Sequence, residues 1–325
     1  MGLTSPDTIS LARTFLRGQA TAGGSHPAGV QRDSAATAAL PGIVILVETK
    51  FRREGTDMEP TEILAAARDG LADMGERCAR LVEDLADTSI PIPGSEWTVR
   101  EAAVHLAWGP PRMAAFATGQ FDLSAMQFDK KVHAARMRSM NADNPETDPQ
   151  KLAQQVREGY GVLMEVLTTV PADQPIAYYD GLRPIVAELA SQNLGEPLLH
   201  GYDIATAAGV PWPIEPEYAA VAVRGYQQVL FSLIFQPAAS VGLEATYRVE
   251  VEGTDPFHTR IADGAYASLE APGSVDCVIS ADPVTALLVI CGRLSQWPAI
   301  AVGRLTFTGD RPELGPRFAD LFVFP

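Results

Sequence analysis

The stretch "GEPLLHGYDIA", residues 195–205, places Glu196, His200 and Asp203 close together in an otherwise apolar segment. On a helix, Glu196 and His200 project from the same face about one turn apart. His105 lies in "EWTVREAAVHLAWG", residues 96–109, on another predicted helix. Two imidazoles and one carboxylate form the ligand set of many catalytic zinc sites, which keep a fourth position open. The pattern therefore predicts a metal site, provided that Pro197 does not bend its helix strongly. The alternative is a hydrogen-bonded core histidine beside a chance Glu-His pair.

Composition limits the partners and the compartment. The chain has 325 residues, 46% of them hydrophobic, which is typical of a globular protein large enough for two domains. It carries 40 acidic and 25 basic side chains, a net charge of −15 that repels nucleic acid and anionic membrane surfaces. Cys78, Cys277 and Cys291 form no CxxC pair, so neither a zinc ribbon nor a disulfide framework is indicated. We therefore expect a cytoplasmic protein without nucleic-acid or membrane partners.

The first 57 residues differ from the rest. Residues 1–40 are rich in Gly, Ala, Ser and Thr, and the apolar run "IVILV" at 43–47 is too short to cross a bilayer. Charged residues follow this run rather than precede it, unlike in a secretory signal. We predict either a disordered leader or a misassigned start, with translation beginning at Met58.

Residues 58–240 show a helical pattern. The segment from Glu59 to Asp87 spaces its apolar residues on one face, and Thr98 with Glu101 forms a predicted capping box at the start of the next helix. The stretch "GPP" at 109–111 is expected to interrupt or kink that helix. Three more amphipathic segments follow, near 148–170, 183–209 and 215–235, so we predict a helical bundle.

From about residue 241 the spacing of apolar residues changes from a helical period towards alternation at every second position. The stretches "ATYRVEVEG", "FHTRIADG", "YASLEA" and "DCVISA" predict short antiparallel strands, and "DPVTALLVICGRL" predicts a helix that begins near Asp282. The expected fold is thus a helical domain at 58–240 followed by a smaller α+β domain at 241–325.

Two motifs carry a family resemblance. "EWTVREAAVHLAWG" resembles the first motif of DinB-like metal-binding four-helix bundles, and "LGEPLLHGYDIATAAGVPWP" resembles their second motif, Glu-x3-His-x2-Asp. Together with "ADPVTALLVICGRLSQWPAIAVGRLTFTGD", they resemble the mycothiol-dependent maleylpyruvate isomerase family, in which the bundle precedes a domain similar to sterol carrier protein type two. The resemblance covers roughly residues 58–325.

The resemblance implies a mechanism and its residues. The divalent-metal ligands would be His105, Glu196 and His200; zinc is expected first, although the donor set also permits nickel or iron. Asp203 would orient an imidazole, or is simply an acid on the helix surface. Mycothiol, an actinobacterial thiol, would be the cofactor or cosubstrate, activated as a thiolate by the metal for isomerase or S-transferase chemistry.

The electrophilic partner and the assembly are less constrained. A carboxylate substrate would need a cation, for which Arg293 and Arg304 are the candidates. A monomer or homodimer is expected. Two alternatives stay open: a carrier of lipids or small apolar ligands, and a regulatory protein that binds metal without catalysis.

Overall fold

The computed structural model describes residues 58–270 and 272–324, so the predicted leader and start lie outside the described residues. Its helices are α1 (Pro60–Glu83), α2 (Val99–Ala117), α3 (Lys130–Asp143), α4 (Pro149–Leu167), α5 (Val186–Ala208), α6 (Pro216–Gly225), α7 (Phe231–Ile234), α8 (Pro283–Ile290) and α9 (Gln296–Ala301). Its strands are β1 (Ala245–Val251), β2 (Phe257–Ala262), β3 (Ala265–Leu269), β4 (Cys277–Ala281) and β5 (Leu305–Thr308). No described helix is long and apolar enough to cross a membrane.

The start of α2 is fixed by a local motif. The Thr98 hydroxyl accepts a hydrogen bond from the Glu101 backbone N–H, and Glu101 Oε2 accepts one from the Thr98 backbone N–H at 2.7 Å. These two bonds satisfy N–H groups that the first turn of a helix leaves free. The predicted capping box is therefore present, and it sets the start of the helix that carries His105.

Prolines do not end α2. The helix continues through Pro110 and Pro111 to Ala117. Because Pro111 has no N–H, the Ala107 carbonyl loses its usual partner within the helix. That carbonyl lies against Gly159 of α4, where any Cβ would overlap the Ala107 oxygen. Close packing of α2 on α4 thus depends on a glycine, and α2 continues past the histidine.

Pro197 likewise lies inside α5 without ending it. The helix ends at Gly209, whose φ of 69° is a left-handed conformation that favours glycine. Trp212 then folds back, donating from its ring N–H to the Leu198 carbonyl at 3.2 Å. Glu196 and His200 therefore lie on one continuous helix, as the spacing argument requires.

The C-terminal region contains a five-stranded sheet in the order β3-β2-β1-β4-β5. The four predicted strands are all present, but β1 and β4 pair in parallel rather than antiparallel, while the other neighbouring strands pair antiparallel. The β2–β3 hairpin forms part of the crossover that a parallel pair requires. Asp276 holds the returning chain, since its carboxylate accepts from the Thr246 N–H at 2.7 Å.

The helical region and the sheet region share one hydrophobic core. Met74 and Leu106 come from the helices, and Tyr247 and Leu287 come from the C-terminal region; all four are almost completely buried. The predicted fold class is confirmed as a helical region followed by an α+β region with a sheet. The predicted boundary at 240/241 falls just after the 3₁₀ turn Pro237–Ser240 and before β1.

Candidate metal centre

The structure brings His105, Glu196 and His200 together. Glu196 Oε2 lies 3.0 Å from His105 Nε2 and 3.5 Å from His200 Nε2. One ligand atom from each of the three residues can be chosen so that all lie within 4.8 Å of one another. Helix α2 supplies the first residue and α5 the other two, so the cluster depends on the packing of two helices. We call these three residues the triad.

The geometry and the donor chemistry of the triad suit a divalent ion. Metal–ligand bonds of about 2.1 Å in a tetrahedral site separate neighbouring ligand atoms by about 3.4 Å. The two Glu196 to histidine distances lie close to this value. The opposite ring nitrogens, Nδ1 of His105 and Nδ1 of His200, are both buried without a hydrogen-bond partner among the described residues. Nε2 of each ring is therefore the nitrogen placed to bind an ion beside Glu196.

Asp203 supports the triad from one side. Its Oδ2 lies 3.5 Å from His200 Nδ1, on the opposite edge of the ring from the nitrogen that faces Glu196. Arg293 donates two hydrogen bonds to the same carboxylate, at 2.9 Å and 3.2 Å. A carboxylate behind a histidine ligand fixes the ring orientation and tautomer. The chain Arg293–Asp203–His200 therefore connects the region after α8 to the triad.

Burial and pairing set the protonation preferences of the triad. Burial lowers the pKa of His105, and this effect outweighs the opposing hydrogen bond with Glu196. For Glu196, burial alone would raise the pKa, but hydrogen bonds from His105 and His200 hold it well below its usual value. A neutral imidazole and an ionised carboxylate are the forms that bind metals.

His200 and Asp203 each stabilise the charged form of the other. Burial would lower the pKa of His200, yet Asp203 and Glu196 together raise it. Burial would raise the pKa of Asp203, but His200 and Arg293 lower it. Asp203 is therefore a carboxylate at neutral pH and holds the His200 ring by charge as well as by position.

Aromatic rings enclose the triad. Trp97 stacks on His200 with ring centroids 5.4 Å apart, and it also contacts His105 at 5.1 Å. Trp108 meets His105 edge to face at 4.9 Å. These residues line a cavity of about 360 Å³ that opens beside the triad. Trp97 therefore forms part of the cavity wall.

The cavity contains residues that the sequence did not single out. His133 lies on α3, a helix absent from the sequence prediction, and it packs against Phe128 with ring centroids 5.4 Å apart. Burial, with the nearby positive charge of Arg112, lowers its pKa to about 4, so His133 is neutral at pH 7. Arg112 lines the same cavity from α2.

Arg304 is not brought to this cavity. It forms two hydrogen bonds of 2.9 Å to Asp282, whose carboxylate also caps α8 by accepting from the Thr285 N–H. Burial would raise the pKa of Asp282, but the bonds from Arg304 and Thr285 outweigh it and lower the value to about 2. The two arginines proposed from the sequence thus lie in different places, and each is paired with a carboxylate.

The Arg304–Asp282 pair gives a pH-dependent prediction. Asp282→Asn keeps a capping side chain but loses the ion pair, so we expect a loss of about 1 kcal/mol in the free energy of unfolding at pH 7, because Arg304 is half exposed. The stabilisation from a lowered pKa is full above about 3.8 and is lost as the pH falls towards 2. Urea unfolding at pH 7 and pH 3 should therefore show the difference between wild type and variant shrinking. An equal difference at both values would contradict the assigned ion pair.

Fold and site together define a helical protein with a His/Glu/His cluster and an appended α+β region. Residues 71–205 match the sequence family described as the mycothiol maleylpyruvate isomerase N-terminal domain. This match confirms the resemblance predicted from the two motifs. The matched range includes all three triad residues and Asp203.

Solved structures show more distant similarity. A crystal structure of a mycothiol-dependent maleylpyruvate isomerase is 15% identical, covers 78% of this chain and 94% of its own, and has a TM-score of 0.45. A histidine-to-alanine mutant of a mycothiol-dependent maleylpyruvate isomerase is 17% identical over the same shares, with a TM-score of 0.48. A stereoselective inverting sec-alkylsulfatase from Pseudomonas sp. is 14% identical, covers 43% of this chain and 25% of its own, and has a TM-score of 0.27. A search of curated proteins gives no match.

Proposed function

We propose that the chain is a divalent-metal enzyme that uses mycothiol as its thiol, either as a maleylpyruvate isomerase-like cis/trans isomerase or as a thiol S-transferase. The metal ligands are His105, Glu196 and His200, and zinc is the expected ion. The observation that carries the proposal is the triad beside a cavity, within a segment of this family. An ion held there would lower the pKa of a bound thiol and supply a thiolate at neutral pH.

The protein's own residues have separate tasks in this proposal. The rings of Trp97 and Trp108 pack on the two histidines and shield them from water, which strengthens electrostatic interactions at the imidazoles. Asp203, held by Arg293, keeps the His200 ring in one orientation. Neutral His133 is in the cavity wall, where it can exchange a proton or hydrogen bond with a substrate.

The electron movements of the proposed isomerisation balance without a further reactant. The thiolate sulfur forms a bond to one alkene carbon, and the π electrons move into the conjugated carbonyl as an enolate. Rotation follows about the new carbon–carbon single bond. The enolate then re-forms the double bond and expels the thiolate as the trans isomer leaves. A transferase would keep the carbon–sulfur bond and complete the addition by returning to the enolate carbon the proton that the thiol released.

The proposed domains are a helical metal-binding domain at 58–240 and a sterol-carrier-like domain at 241–325. Hydrogen bonds from Arg293 to Asp203 connect the two proposed domains, which supports a role of the second domain in shaping the site. The proposed partners are a small thiol and an electrophile.

Metal analysis and a thiol titration test the function. The purified protein should contain one divalent ion per chain. In the cobalt-substituted protein, adding mycothiol should produce a sulfur-to-cobalt charge-transfer band, while a thiol-free analogue should not. A protein without metal would overturn the proposal and leave a ligand carrier as the better reading. A bound metal whose spectrum ignores mycothiol would favour a non-catalytic metal-binding protein.

A further inference from the structure

The cavity beside the triad holds an arginine that no carboxylate of residues 58–270 or 272–324 neutralises. Three arginines line it: Arg112, Arg138 and Arg293. Arg293 is paired with Asp203, and Arg138 lies 4.0 Å from Glu96. For Arg112, the described part of the chain contains no salt-bridge partner, although acidic side chains outnumber basic ones by 40 to 25 in the sequence. An unneutralised guanidinium in a cavity wall is therefore a distinctive feature of this site.

Neighbouring rings hold the Arg112 guanidinium in place. It lies 5.2 Å from the centroid of Phe116 and 5.9 Å from that of Trp108. One nitrogen donates to the Tyr179 hydroxyl at 3.1 Å. A guanidinium has five N–H donors, and this is its one hydrogen bond within the described residues. The remaining donors are available to a ligand, and the planar group is already oriented by the rings.

The position of Arg112 relates it to the triad. Arg112 and His105 are seven residues apart on α2, which places them on the same face about 10 Å apart along the axis. The Cα–Cβ bonds of a helix tilt towards its N-terminus, which from Arg112 is the direction of His105. A small molecule could therefore contact the guanidinium at one end and the triad region at the other.

We propose that Arg112 binds the anionic group of the substrate, a carboxylate, through paired N–H donors. Planar guanidinium and carboxylate groups match in a bidentate arrangement. Arg293, the other arginine close to the triad, uses its guanidinium for Asp203 and positions His200 instead. This proposal deepens the proposed function and rests on it: Arg112 selects a small carboxylate-bearing electrophile and sets its orientation towards the thiol.

Calorimetric titration with maleate tests this role without turnover, on wild-type and variant proteins whose metal content has been measured and matched. We expect R112Q to weaken maleate binding by about 10- to 100-fold, because a hydrogen-bonded charge pair contributes about 1.5–3 kcal/mol. R112K should be intermediate, since lysine keeps the charge but not the fork. R138Q, in the same cavity with its own carboxylate partner, should stay within about twofold of wild type. Dimethyl maleate, which lacks the charges, should not distinguish R112Q from wild type.

Several results would overturn the assignment. These are wild-type affinity in R112Q, equal weakening of maleate and dimethyl maleate, loss of maleate binding in R293Q but not in R112Q, or no binding to wild type. Near-ultraviolet circular dichroism checks the fold of each variant. If R112Q fails to fold, R112K decides alone, and unchanged maleate affinity in R112K would contradict bidentate binding. Failure of the proposed function appears separately, as a missing metal or a cobalt spectrum that mycothiol does not change.

Discussion

His200→Ala is expected to lower zinc affinity by more than the roughly 10- to 100-fold that follows loss of a residue that only supports a ligand. The substitution removes one of the three proposed ligands and leaves His105 and Glu196, too few for a stable catalytic zinc site. Thiol-dependent activity should fall with metal content. Zinc affinity is measured by competition with a chromophoric chelator, and occupancy is measured by elemental analysis after dialysis. His105→Ala should behave in the same way.

The matched control is His133→Ala. His133 lines the same cavity and is partly buried, but it is not a member of the triad. We expect this variant to keep one zinc ion at close to wild-type affinity. Equal loss of zinc from His133→Ala and His200→Ala would indicate a general disturbance of the cavity. Full zinc affinity in His200→Ala would remove His200 from the ligand set.

The sequence predicted the features of the fold that depend on interactions between residues close together in the chain. The capping box of Thr98 and Glu101, the start of α8 at Asp282 and the four predicted strands all follow from neighbouring residues. The Glu196–His200 spacing placed two residues of the candidate site because helix geometry alone brings them together. The approach of His105 depended on helix packing, and the family resemblance supplied what spacing could not.

The features that were missed depend on tertiary packing. Pro110 and Pro111 suggested a break, but the space at Gly159 accommodates the freed carbonyl and lets α2 continue. In a continuous α2, the seven-residue spacing places His105 and Arg112 on the same face of the helix. A predicted break between them removes this inference. Helix α3 was missed because it buries only Met137 and Asn141, so it has hardly any apolar periodicity. No periodic pattern therefore marks its His133 as a cavity residue.

Pairing of the arginines was equally hidden from sequence. Arg293 and Arg304 looked equivalent as residues of the C-terminal region. In the structure, Arg293 donates to the carboxylate of Asp203, 90 positions earlier, whereas Arg304 donates to that of Asp282, 22 positions earlier. Which arginine reaches the cavity depends on how the chain after α8 meets α5. Such long-range ion pairs leave no periodic or short-range signature.

Asp203→Asn should cause two separable losses. It removes the charge partner of Arg293, whose side chain is 25% exposed, while that of Asp203 is 12% exposed. Since the pair lies between surface and core, we expect a loss of about 2–3 kcal/mol in the free energy of unfolding, between the values for exposed and buried pairs. It also replaces the carboxylate beside His200 Nδ1, so zinc affinity should fall by about 10- to 100-fold.

A double-mutant cycle with Arg293→Gln separates these roles. Arg293 reaches His200 only through Asp203 in the described structure, so Arg293→Gln should reduce stability by a similar amount but weaken zinc binding less than Asp203→Asn does. The double variant should be more stable than the sum of the single losses predicts, by about 1–3 kcal/mol, because the unpaired charge is gone. Urea unfolding of the metal-free proteins gives the stabilities, and chelator competition gives the affinities. Additive stabilities would show that the pair does not couple α5 to the C-terminal region. Equal zinc affinities in all four proteins would show that Asp203 does not position His200.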